Sequence, residues 1–189
     1  MTPILGIMAS AASGNLWAPG KDFDSIATTT LSTSTATITF SSIPATYRHL
    51  QIRFLTRTDR ANQEDNNQLR FNSDSAGNYA AHVLYGDGAT AGAFSDGSSI
   101  TFNTRSVVAA ASSTSGVFGV GVIDILDYKD TNKYKTVRSL NGYDNNGTGQ
   151  VRLSSGLWMN TAAITTIAIT SANAANFVQY SSFALYGVK

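Results

Sequence analysis

Cysteine is absent from this chain. That excludes a disulfide framework, a thiolate metal site and a cysteine nucleophile. Charge is nearly as scarce: Asp, Glu, Lys and Arg make up 13% of residues and the net charge is +1. A chain this neutral has no broad electrostatic attraction for nucleic acid or for an anionic membrane surface. Two histidines, His49 and His82, are the only side chains that ordinarily titrate near neutrality, and neither has a second ligand-type residue two positions away on its strand. G-x-S-x-G, HExxH and P-loop motifs are all missing. No window holds apolar residues at helical spacing for three turns.

Long apolar runs are missing too. The opening MTPILGIMASAASGN carries Ile4, Leu5, Ile7 and Met8, but Gly6 interrupts the run and no lysine or arginine precedes Lys21. A run this short, without a basic start, reads as a retained apolar arm and not as an export signal or a membrane-inserted segment. Residues 1–20 are therefore expected to be an extended arm and linker, and 21–189 a single β-sandwich domain.

Period-two alternation and β-branched residues fill the rest. In YRHLQIRF, Leu50, Ile52 and Phe54 share one face while His49, Gln51 and Arg53 share the other. VFGVGVIDILDY (117–128) is apolar enough to predict a central strand covered on both sides. DTN and NNGTG then turn the chain through 133–144 and 150–160 as a meander. Further strands are expected near 23–31, 35–40, 69–71, 78–86, 99–102, 163–170 and 177–188. The polar stretch Thr58 to Gln68 and the Gly/Ala/Ser-rich stretch Gly86 to Ser98 predict exposed loops. About ten to twelve short strands separated by turn signals predict an all-β fold, an antiparallel β-sandwich of jelly-roll-like form.

Candidate sites are few. Asp124, set between Ile123 and Ile125, is expected to pair with Arg138 on the next strand, since a partly buried charge needs a partner. Tyr85, Asp87, Phe94 and Asp96 lie in and beside the predicted 86–98 loop and form the candidate contact or ligand loop. Asp59, Glu64 and Asp65 are the carboxylates to consider for sugar hydrolysis or calcium, although their spacing is not that of an EF-hand loop. Trp17, Trp158, Tyr79, Tyr85, Tyr143 and Tyr180 can stack on sugar rings or fill a core, and half-buried sheets favour the second use. No catalytic residue, metal site or cofactor is predicted.

FDSIATTT, ITFSSIPATYRHLQIR, NYAAHVLYGDG, IDILDYKDTNKYKTVRSL, LSSGLW and the closing FVQYSSFALYGVK, with the lead ILGIMAS, resemble a group of tailed-bacteriophage virion proteins. The resemblance implies a non-enzymatic structural component of the virion, assembled in the host cytoplasm. It carries an ambiguity, because the module occurs in head-associated and tail-associated proteins. The expected role is a capsid decoration or cement protein, attached as a homo-oligomer such as a trimer to the major capsid protein. Ile4, Leu5, Ile7 and Met8 are then the expected subunit-interface residues, each contributing about 1.5–3 kcal/mol if buried in a neighbour. The alternatives are a tail, baseplate or fibre component that binds host-surface glycan, and a virion glycan depolymerase using Asp124 or the Asp59/Glu64/Asp65 group.

Overall fold

A computed structural model describes residues 22–189, without the side chains of 98, 99 and 104. The expected arm, its interface residues Ile4, Leu5, Ile7 and Met8, and Trp17 lie outside the described residues. The chain is all-β. Its strands are β1 (Phe23–Thr30), β2 (Thr37–Phe40), β3 (His49–Thr56), β4 (Glu64–Phe71), β5 (Tyr79–Gly86), β6 (Ala91–Ile100), β7 (Asn103–Ala109), β8 (Gly119–Ile125), β9 (Lys135–Asp144), β10 (Gly149–Trp158), β11 (Ile167–Ser171) and β12 (Ser182–Val188).

Two antiparallel sheets face each other as a β-sandwich. The larger has the order β1-β12-β3-β8-β9-β10-β5-β6 and the smaller β2-β11-β4-β7. Alternation sets which face each strand buries. In β3, Leu50, Ile52 and Phe54 turn inward and meet Phe183 and Leu185 of β12, Ile123 and Ile125 of β8, and Ile167 and Ile169 of β11 in one core. Phe71, Tyr79 and Trp158 close one end of that core, with ring centroids 5.5–6.3 Å apart. β7 packs against β9 and β10 of the larger sheet. Its Val108 joins the main core, while Val107 and Ala109 form a second cluster with Tyr143 of β9.

The turns follow their residues. Asn146 and Gly147, both at positive φ, make the β9–β10 hairpin tip, and Asn145 N–H donates to the Thr148 carbonyl at 2.7 Å. That geometry is the reason for an Asn-Gly pair there.

Three expectations need correction. The stretch 58–68 is not one exposed loop: β4 begins at Glu64, and Asp65 and Asn67 are fully buried. The stretch 86–98 is mostly strand β6, so the loop shrinks to a tight turn around Asp87. No strand was expected at β7. All three share a cause: these strands bury polar residues (Asp65, Asn67, Asn103, Ser106) or carry side chains too small to alternate visibly, so the hydrophobic period is missing where the backbone pairs normally.

Candidate functional site

The apolar run 117–128 does not form a strand covered on both sides, and its open face leads to the site. β8 is central in its sheet, but only one of its faces is covered: Ile123 and Ile125 are buried, whereas Val120 on the opposite face is more than half exposed. Strand registry carries this pattern across the larger sheet. One row runs Val122, Leu140, Leu153, Leu84, Ala93 over β8, β9, β10, β5 and β6. The next runs Leu55, Val120, Gly142, Val151, Gly86 over β3, β8, β9, β10 and β5. Leu84, Val120, Leu140 and Val151 are each more than half exposed, with Leu153 and Leu55 close behind. Side chains of directly paired residues lie about 4.5–5.5 Å apart on one face, so these form a contiguous apolar patch.

Exposed apolar residues scattered singly need no explanation; a contiguous patch of this kind marks an interaction surface. Covering the half-exposed Leu55, Leu84, Val120, Leu140, Val151 and Leu153 would contribute on the order of 5 kcal/mol before the costs of association.

A polar row borders the patch: Gln51, Asp124, Arg138, Ser155, His82 and Ser95. Asp124 accepts from Gln51 Nε2 at 2.9 Å and from an Arg138 guanidinium nitrogen at 2.9 Å. Arg53 donates to Gln51 Oε1 at 2.9 Å, and its guanidinium lies 5.2 Å from the Tyr186 ring centroid and 5.7 Å from that of Phe23. Asp124 and Arg138 are thus joined as their sequence positions predict, at the edge of the patch. Because Arg138 is mostly exposed, the pair adds little to stability. A cleft of about 530 Å³ opens where Arg138 and His82 meet Leu84, Leu153 and Ala93.

The candidate contact loop divides. Asp87 holds its own turn, accepting from the backbone of Ala89 and Thr90, which keeps its carboxyl below the usual range. Tyr85 and Phe94 pack with tilted rings, centroids 6.1 Å apart, on the opposite side of the sheet from Leu84, with Arg152 over the Phe94 ring at 5.8 Å. Asp96 is tied to Arg105. No single surface gathers the four.

The remaining carboxylates are also separate. Asp59 binds the backbone and side-chain nitrogens of Asn176, both at 2.8 Å. Glu64 lies 3.4 Å from Arg152. Asp65 is fully buried and accepts from the Thr58 and Ser171 hydroxyls, the Asn173 amide and the Asn66 backbone at 2.7–2.9 Å. Four donors on one carboxylate satisfy it internally. No group of three or more His, Asp or Glu side chains is gathered for a metal ion among the described residues. Trp158 and Tyr79 are core residues, and burial pushes the Tyr79 hydroxyl up to about 12. His49 Nδ1 accepts the Asp127 backbone N–H at 3.0 Å, a structural use.

No family model matches the chain, and no curated protein or solved structure gives a match. The outward Leu84, Val120, Leu140, Val151 and Leu153 are the site residues that sequence reasoning missed. Their signal is apolar residues at both parities of one strand: Val137 with Leu140 in β9, Leu153 with Trp158 in β10.

Proposed function

We propose that this chain is a non-enzymatic structural protein of a bacteriophage virion, a capsid decoration protein that holds to neighbours as a homo-oligomer. The observation that carries the reading is the apolar outer face of the larger sheet. A chain that works by adhesion needs an exposed surface whose burial is favourable, and this face is larger and more apolar than folding requires.

The winding supports it. β1, β12, β3 and β8 lie in one sheet and β2, β11, β4 and β7 in the other, with the chain crossing between sheets at eight of the eleven connections from β1 to β12. We read this as an eight-stranded jelly roll, an architecture used by viral capsid proteins among others. The hairpins β5–β6 and β9–β10 are then insertions that extend one sheet. Leu84, Leu140, Val151 and Leu153 all sit on those inserted strands. The addition to the basic winding bears most of the adhesive surface, with Leu55 on β3 and Val120 on β8 completing it, and the sequence resemblance to phage virion proteins gives that surface its setting.

Quantitative mass spectrometry and electron cryo-microscopy of purified virions test this. Hundreds of copies on the head are expected. A few copies, or a few dozen at the tail, would replace decoration with a tail role; absence from virions would refute both.

A further inference from the structure

The outer face of the larger sheet is self-complementary, and we infer that it stacks on the same face of a second copy about a two-fold axis running along its rows. The inference rests on the reading of this face as adhesive and commits it to one occupant. A two-fold axis across the strands, lying midway between the two apolar rows, brings each row of one copy onto the other row of its partner. Leu140 then faces Gly142, Leu84 faces Gly86, Leu153 faces Val151, and Val122 faces Val120. Leu140 and Leu84 meet glycines, and Leu153 and Val122 meet valines.

The surface relief fits this exchange. A hollow of about 770 Å³ lies at the glycine end of the face, lined by Gly86, Gly88, Gly142, Gly147 and Gly149 together with Val151. Gly142 is fixed by its own fold, because a Cβ there would lie 2.5 Å from the Gln150 carbonyl oxygen. Gly86 is not: the nearest atom to a Cβ there is the Thr90 carbonyl oxygen at 3.9 Å, and its φ is not in the left-handed region. Among the described residues, no contact demands a glycine at 86. A leucine entering from a partner does.

Charge follows the same symmetry. Arg138 and Asp144 are both outward-facing on β9, six residues apart, one beyond each apolar row. The axis that places Leu140 on Gly142 also places Arg138 of one copy opposite Asp144 of the other. Asp144 has no salt bridge among the described residues, and Arg138, exposed beyond its contact with Asp124, has guanidinium surface left to offer. Size agrees as well. Six strands from β3 to β6 and four rows cover roughly 29 Å by 27 Å, close to the ~800 Å² that each partner gives to a standard interface. Stacked sheets cross at about 30°, so the match is tightest at the centre, around Leu140, Leu153 and Gly142.

Analytical ultracentrifugation of the full chain tests the stack. A dimer is expected whose dissociation constant rises about tenfold or more in Asp144→Arg, which sets two arginines against each other, and falls back toward the parent value in the double variant Arg138→Asp/Asp144→Arg. Gly86→Val should also weaken the dimer while leaving the thermal melt in place. A chain that stays monomeric to its highest soluble concentration, a trimer, or a dimer indifferent to Asp144→Arg would overturn the inference. The two readings fail separately: a monomer found on virion heads sinks the two-fold stack alone, whereas a dimer of this kind missing from virions sinks decoration alone.

Discussion

The two sheets present opposite outer faces to solvent. On the smaller sheet, Thr37 and Thr39 are exposed, and Gln68 and Arg70 reach the backbone carbonyls of Ser171 and Thr101. That face is polar: most of its side-chain groups meet water or the chain's own atoms, and the buried Gln68 Oε1 has no hydrogen-bond partner among the described residues. On the larger sheet, Leu84, Val120, Leu140, Val151 and Leu153 stand where Thr and Gln would serve folding as well. Both faces belong to the same core, so the demands of that core do not explain the difference. A two-sheet fold needs one apolar face per sheet, and the larger sheet has two.

The largest expected effect breaks this comparison directly. Replacing Leu140 and Leu153 together by Gln should remove most particle-bound copies while the melting temperature holds. The matched pair Thr39→Gln and Thr170→Gln on the smaller sheet should leave attachment unchanged. Quantitative mass spectrometry of virions from complemented infections reads both.

Next in size is the contrast between the two faces of the larger sheet itself. Ile123→Ala opens a cavity in the core and should cost about 2–5 kcal/mol in denaturant unfolding. Leu153→Ala, on the outward face, should cost far less, about 0.5 kcal/mol, because among the described residues its side chain is left about half exposed. Equal costs would mean that the outward leucines serve the fold.

A buried polar position sharpens the same point from inside. Asp65→Ala strands the Thr58, Ser171, Asn173 and Asn66 donors in the interior and should destabilise by about 2 kcal/mol or more. Polar residues inside and apolar residues outside are both departures from the simple sandwich, but only the inner ones should register in stability.

The smallest effect concerns acid. Burial works against the Asp74 carboxylate, yet hydrogen bonds from Asn78, the Trp158 indole and the Ala76 backbone outweigh it and hold the carboxyl below the usual range. A lowered folded-state value means that its contribution is complete above the unfolded value and is lost as pH falls through the folded one. Trp158 fluorescence should therefore stay native through pH 4 and change only below about 3.8, the ordinary aspartate value. Asp74→Asn should abolish that acid step.

The legible part of the sequence was the part where alternation and core agree. Leu50, Ile52 and Phe54 in β3, the apolar run of β8 and the Asn-Gly turn at 146–147 all follow from period and turn chemistry. β7 and the start of β4 did not, because Asp65 and Asn67 are buried on hydrogen bonds and Asn103 and Ser106 are buried without any from their side chains among the described residues, none of which a hydrophobicity pattern can register. The Asp124–Arg138 pair was legible from adjacent strands. The apolar face was half legible. The continuous run in 117–128 announced two apolar sides, but which one the chain would leave open depends on where the smaller sheet stops, and that is a fact of topology.

Side-chain oxidative footprinting, comparing protein diluted to its monomeric form with assembled particles, tests the central claim most directly. Leu84, Leu140, Val151 and Leu153 should lose most of their labelling on assembly while residues on the outer face of the smaller sheet keep theirs. Unchanged labelling of those four, with protection confined to the smaller sheet, would contradict the assignment of the larger sheet's outer face as the adhesive surface.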